Sequence, residues 1–267
     1  MYLDVLHLKS FYDQPLGGLV RQTVGDRVRL LWPTLDDRRV LGIGYATPYL
    51  WRFLGEAERV MACMPAAQGV INWPPGGRNL SYLSEEDSLP LSDSSVDNVL
   101  IVHGLDMTSD PQSMLREVWR ILAPAGRLIT ITANRRGLWS RTESSPFGYG
   151  HPYTRSQINA LLTSCDFQPG NSATLLHVPP TNRPLILRSN RAFERLGSRF
   201  WPRFGGLVIV EAQKQIPPRG LAVSAKKRRP TGVFKPAFAA GGNVGFNGEA
   251  EKPLARQQDS ESTKASR

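Results

Sequence analysis

The sequence predicts an α/β fold of the Rossmann-like, doubly wound kind, a mostly parallel sheet with helices on both faces. Three observations carry the prediction. Arg39-Val40-Leu41-Gly42-Ile43-Gly44 reads as a strand that passes through a glycine turn into a helix start, the opening of a βαβ unit. The run Val99-Leu100-Ile101-Val102 has the unbroken apolar character of a strand buried on both faces, and a capped amphipathic helix follows it. Strand and helix patterns then keep alternating along the chain instead of segregating, which favours a parallel sheet.

Taken in order, Thr47 is placed to cap the first helix and Pro48 suits its first position, where a missing N–H costs little. That helix is expected to run through Leu54 and stop near Gly55, and residues 58–63 then read as a short second strand. Residues 95–103 form the buried strand. Asp110-Pro111 opens a helix through Leu122, with Met114, Leu115, Val118, Trp119 and Leu122 at helical spacing. Ala123-Pro124-Ala125-Gly126 ends it, and residues 127–133 make another strand through Leu128, Ile129 and Ile131. Thr154 caps a helix with Ile158, Leu161 and Leu162 on one face, and Leu207-Val208-Ile209-Val210 is a late strand.

Composition sets the outer bounds. A chain of 267 residues holds one full domain or two small ones. Its net charge of +10 is unevenly placed: residues 219–267 carry ten basic and four acidic side chains, hence +6, and the remainder only +4. This tail lacks a sustained apolar period and is expected to be disordered. Its cluster Lys226-Lys227-Arg228-Arg229 is either a solvated charge run or a contact for nucleic acid or acidic lipid, and nucleic acid is expected only there. Two cysteines, Cys63 and Cys165, exclude a disulfide framework and a paired-CxxC zinc site, and no metal centre is expected. No apolar run reaches the ~18 residues of a membrane span. A cytoplasmic protein is the default expectation.

Two stretches carry a family resemblance. Leu89-Pro90-Leu91-Ser92-Asp93-Ser94-Ser95-Val96-Asp97 resembles the Leu-Pro-Phe-x-Asp-x-Ser-Phe-Asp segment of the class I methyltransferases that use S-adenosylmethionine, in their type 11 branch. Leu115-Arg116-Glu117-Val118-Trp119-Arg120-Ile121-Leu122-Ala123-Pro124-Ala125-Gly126-Arg127-Leu128 is similar to that family's Leu-Arg-Glu-x-x-Arg-Val-Leu-Lys-Pro-Gly-Gly-Arg-Leu. The likeness runs from about residue 38 to 214. It implies a seven-stranded sheet with an antiparallel last strand, and S-adenosyl-L-methionine along the C-terminal strand edge. With the tail read from composition, the chain is expected to divide into three regions: an N-terminal helical cap at 1–37, the methyltransferase-like domain at 38–216, and the basic tail at 217–267.

Carried over residue by residue, the family's cofactor positions fall on Gly42, Gly44, Ala46, Met64, Glu85 and His103. The family's Asp-x-Gly-x-Gly-x-Gly is here Gly42, Gly44, Ala46 and Pro48, so the acid and two glycines are replaced. The ribose-binding acid is expected about 20 residues after the turn, where Met64 stands. Asn72 and Glu85 are candidates to compensate. Glu85 matches the acid toward the adenine, with Asp87 as fallback. His103 is the candidate base, or else a histidine hydrogen-bonded at a strand end; Asp106 is a second residue facing the acceptor, or a solvated loop side chain.

The stretch between the 127–133 strand and Thr154 is long for a compact domain. Arg135, Arg136 and Arg141 lie there among Trp139, Phe147, Tyr149, His151 and Tyr153, a mix suited to a lid over a planar or anionic substrate, or to anchoring a surface loop. A second basic series, Arg183 to Arg203, is interleaved with Phe193, Leu196, Phe200 and Trp201, as on a solvated amphipathic helix covering the last part of the sheet, or on a surface for an anionic partner. Methyl transfer to an unidentified, small-molecule acceptor is therefore the leading expectation. A degenerate methyltransferase fold acting as a non-catalytic binding module is the alternative. A nicotinamide dehydrogenase is disfavoured by the missing ribose acid and by the match at 115–128.

Overall fold

The computed structural model describes residues 2–143 and 145–216. The tail expected to be disordered, with its 226–229 cluster, lies outside the described residues. Seven strands form one sheet: β1 (Arg39–Gly44), β2 (Arg59–Pro65), β3 (Ser81–Ser84), β4 (Val96–Val102), β5 (Leu122–Ala133), β6 (Phe167–Leu175) and β7 (Leu207–Lys214). Their spatial order is β3-β2-β1-β4-β5-β7-β6. The first five are mutually parallel, and β7 runs antiparallel between β5 and β6. The C-terminal ends of five strands thus share one edge. The order reverses between β1 and β4, the point where open α/β sheets leave a crevice.

The helices are α1 (Val5–Asp13), α2 (Pro15–Leu31), α3 (Thr47–Leu50), α4 (Pro111–Ile121), α5 (Arg155–Ser164), α6 (Pro184–Arg188) and α7 (Asn190–Phe200). Strand side chains alternate between faces, and two apolar layers result. Leu100, Val102, Ile129 and Ile131 join Leu8, Leu16, Val20, Val24 and Val28 of α1 and α2. Val99, Ile101, Leu128 and Val210 join Met114, Leu115 and Val118 of α4 and Ile158 and Leu162 of α5. Residues 2–37 therefore share the core of the sheet. At the α1–α2 joint Gly17 is required: a Cβ there would lie 2.0 Å from the Phe11 carbonyl oxygen.

Several expected elements change. The helix after β1 does not reach Leu54: α3 is a single turn capped by Ala46, without a side-chain bond, and passes into a 3-10 turn at Trp51–Phe53. Its Tyr49, Leu50 and Phe53 are all fully buried, so the segment is held by packing instead of by an amphipathic stripe. β5 starts at Leu122, directly after α4, with Leu122 paired to Val96, an irregular register before Asn98, and Ala125 at φ 60°. α4 starts as its sequence implies, Asp110 accepting hydrogen bonds from the N–H groups of Gln112 and Ser113. Thr154 and Gln157 form a capping box on α5.

The 115–128 stretch has a structural role. Glu117 accepts the Leu89 N–H at 2.7 Å and pairs with Arg120, which also reaches Asp93 and the Leu89 carbonyl. This clamp ties the loop before β4 onto α4.

Candidate functional site

The candidate site is the shared C-terminal edge of β1 to β5, and α1 lies along it. Tyr2, just ahead of α1, donates to Glu86 after β3 at 2.9 Å. The Val5 N–H donates to the Gln68 carbonyl after β2 at 2.9 Å. Tyr12 stacks on Tyr45, in the turn after β1, with ring centres 5.5 Å apart. Its hydroxyl lies 3.0 Å from Tyr49 Oη and 3.0 Å from Nε2 of His103, which follows β4. Phe11 and His7 meet Phe147 and Tyr149, both after β5, edge to face. One short segment therefore touches the loop following each of the five parallel strands, and Tyr12 sits at the reversal point between β1 and β4.

Gly44 shapes the floor of this edge. It has φ 79°, and a Cβ there would meet the Val102 carbonyl oxygen at 2.1 Å. Only glycine allows β1 to turn this close to the end of β4. Gly42 is closed by Ala46 and Leu50, to which a Cβ would approach within 2.6 and 2.7 Å. Met64, at the end of β2, and Ala46 are buried among apolar neighbours. Asn72, offered as a substitute acceptor, is exposed, as is Glu85; the acid tied to α1 is Glu86.

Two titratable groups are sealed into this edge. His103 is fully buried, with φ 50°, its ring 4.4 Å from Phe147 and its Nδ1 without a hydrogen-bond partner. Burial pushes its pKa down to about 3, so it stands neutral against Tyr12. This arrangement corresponds to the hydrogen-bonded histidine at a strand end more closely than to the candidate base. Asp106 is also fully buried, and its carboxyl oxygens make no hydrogen bond of ordinary geometry. Burial pushes its pKa up to about 7, against partial help from the backbone of Asp106 and Ala133. The reading of Asp106 as a solvated loop residue is therefore corrected. Gln68, fully buried, leaves both amide atoms unpaired.

The 134–153 loop divides in two. Trp139 is not a lid residue: it is buried, donates from Nε1 to the Val178 carbonyl at 2.8 Å and packs on Phe147. Arg135, Arg136, Arg141 and His151 are exposed, with Arg135 donating to the Pro152 carbonyl, and Tyr149 is half-buried against His7. The arginines belong to the outer surface, away from the aromatic fill over His103. Sequence reasoning missed Tyr45, Tyr49, Gln68 and Glu86 as site residues; Tyr12 fell only within the N-terminal helical cap expected at 1–37. Tyr45 sits at a variable place in the glycine motif, and nothing local marks the others.

With α1 packed on it, the edge is closed to S-adenosylmethionine. No carboxylate stands at Met64 to take the ribose hydroxyls, and Tyr12, Tyr45 and Phe147 fill the reversal point with rings. Among the described residues there is no group of three or more metal-ligating side chains, and no helix is long and apolar enough to cross a membrane.

The fold and its edge define a class I methyltransferase architecture. Residues 41–130 match the type 11 family described as "Methyltransferase domain". Solved structures of the same fold include a SAM-dependent methyltransferase from Thermotoga maritima, 16% identical, at TM-score 0.55 over 78% of this chain and 94% of that one. A methyltransferase in complex with the Haloferax volcanii Trm112 methyltransferase activator is 16% identical, at TM-score 0.56 over 75% and 94% of the two chains. A SAM-dependent methyltransferase from Mesorhizobium loti is 14% identical, at TM-score 0.50 over 71% and 96%. No match was found among curated proteins. Residues 41–130 thus match the type 11 methyltransferase domain, and the solved structures share the chain's fold.

Proposed function

We propose that this chain carries out S-adenosylmethionine-dependent methyl transfer to an acceptor yet to be identified, and that α1 is a lid that must leave the strand edge before the cofactor enters. The observation that carries the reading is the path of residues 2–13, Tyr2 and α1, across all five strand ends, over the edge where the family holds its cofactor. Orphaned polar atoms beneath it, on His103, Asp106 and Gln68, are suited to a polar ligand.

Magnitudes sharpen the reading. Val5, Leu8, Phe11 and Tyr12 are buried, and at about 1.5–3 kcal/mol each their exposure costs roughly 6–12 kcal/mol. Micromolar cofactor binding supplies about 8 kcal/mol. The two nearly cancel, so cofactor alone opens the lid only partly, and a partner or acceptor that receives the apolar face of α1 would complete the opening. The second reading, a non-catalytic binding module, rests on Met64 standing in place of an acid.

Hydrogen exchange on the full chain, with calorimetric titration of S-adenosylmethionine and S-adenosylhomocysteine, separates the two. Heat of binding together with faster exchange of the α1 amides supports the gated methyltransferase. Binding with α1 still protected removes the lid but keeps the cofactor. No binding at millimolar ligand, for the native chain and for Tyr12→Ala alike, leaves the non-catalytic module.

A further inference from the structure

The α6–α7 segment leaves an apolar stripe that the fold does not cover. Phe193, Leu196 and Phe200 fall at i, i+3 and i+7 of α7, on one face, and are 38%, 53% and 61% exposed. Trp201 and Phe204 extend the stripe at 61% and 59%. α7 rests on the domain by a different side. A Cβ at Gly197 would lie 2.3 Å from the His177 Cβ, and Glu194 accepts the His177 N–H at 2.7 Å. Between α7 and the loop after β5 runs an open groove of about 680 Å³, lined by Phe193, Leu196, Trp201 and Phe204 of this stripe with Leu138, Arg136 and Arg141; Phe200 lies outside it.

The charge around the stripe has one sign. Between positions 183 and 203 the sequence carries six arginines, no lysine and a single acid, Glu194, which is already bonded to His177. Arg183, Arg188, Arg195, Arg199 and Arg203 are exposed. Guanidinium groups bind phosphate oxygens in bidentate fashion. Rings of Trp and Phe bordered by arginines are the composition of a helix lying in a headgroup layer.

We propose that the α6–α7 segment and the facing Arg136–Arg141 turn form a docking surface for an anionic lipid bilayer. Phe200, Trp201 and Phe204 enter the acyl boundary and the arginines bind headgroup phosphates. The charge complementarity selects this occupant: a protein interface of this size is depleted in charge at its centre and mixed in sign at its rim, whereas here the rim is uniformly cationic.

Co-sedimentation of the full chain with vesicles tests this. The chain should bind equal-part phosphatidylglycerol–phosphatidylcholine vesicles and not phosphatidylcholine alone, with binding weakened by salt. Phe200→Ser/Trp201→Ser/Phe204→Ser should reduce partitioning at least about tenfold, and Arg195→Gln/Arg199→Gln about as much. All five positions are exposed, so a variant retaining the native melting temperature is a valid reporter. Brominated lipid should quench tryptophan emission in the native chain and fail to do so in Trp201→Phe. The Lys226→Ala/Lys227→Ala/Arg228→Ala/Arg229→Ala variant should bind as the native chain does. Binding lost in that variant but kept in the aromatic one overturns the proposal, as does equal binding to neutral vesicles. Retention on a single-stranded oligonucleotide without vesicle binding, abolished by the aromatic variant, assigns the surface to nucleic acid instead and also overturns it.

Discussion

Asp106 shows how far a residue's chemistry departs from its sequence context. A carboxylate in a loop after a strand reads as solvated, yet the chain closes over it from three sides: the His151 N–H donates to its carbonyl, Gly150 passes so close that a Cβ would lie 2.2 Å from that oxygen, and Tyr12 and Tyr153 feel its charge. Burial raises its pKa from 3.8 to about 7. The folded state therefore binds the proton more tightly than the unfolded state, and stability falls as pH rises from about 4 to about 7, then levels off. Asp106→Asn removes the ionisable group. Its melting temperature should exceed that of the native chain by several degrees at pH 8 and match it or fall below it at pH 4, by scanning calorimetry at the two pH values. An equal effect at both would mean that Asp106 is not buried with a raised pKa. Met64 and Gly44 could be placed from the sequence because each is fixed by distance along one βα unit. Tyr12 and Phe147 reach His103 from 91 residues before it and 44 residues after it, as their contacts with it show, and no local pattern encodes that meeting.

Among elements, legibility follows burial and length. β4 and α4 announce themselves because each presents a full apolar run or a complete helical stripe. β3 has four residues at a sheet edge, too few for a period, and β6 contains Pro169, Gly170 and Asn171, tolerated because it is the other edge and its register breaks there. The resemblance itself rests largely on an element that holds the fold, since Glu117 and Arg120 lie in the stretch that gave the clearest likeness and their partners are Leu89 and Asp93. The Arg120 guanidinium holds the Glu117 carboxyl below its ordinary range, against the effect of burial and with help from the Leu89 N–H. A depressed carboxyl adds stability above its unfolded pKa and loses it as pH falls through the folded value. Glu117→Gln keeps the shape but loses the charge-assisted bonds, and should lower stability by about 2–3 kcal/mol at pH 7. Denaturant melts should show this difference shrinking below pH 4; a difference independent of pH would make packing, and not the ion pair, the source.

For the whole molecule, the question opened by the +10 charge is where the folded unit ends. β7 is an interior strand, paired to β5 through Ala133↔Leu207 and to β6 through Leu175↔Leu207, so the sheet is complete only at its last residues. Lys214 closes it: its ammonium donates to the Leu122 carbonyl at 2.6 Å, lies 4.1 Å from the centre of the Trp119 ring, and is pushed to a lower pKa by burial. Trp119 in turn donates to the Gln215 carbonyl. These contacts bind the start of β5, α4 and the end of β7 into one knot, after which the described chain needs nothing further to cover either face. A chain ending at Pro218 should therefore unfold in one transition at the native melting temperature, although its net charge falls from +10 to +4. Lys214→Ala in the full chain, by contrast, removes the bond to Leu122 and the contact with Trp119 and should cost about 1–3 kcal/mol. Calorimetry on both forms decides the matter. A lowered melting temperature after truncation, with Lys214→Ala silent, would show that the segment beyond 218 and not the 214–215 knot completes the domain.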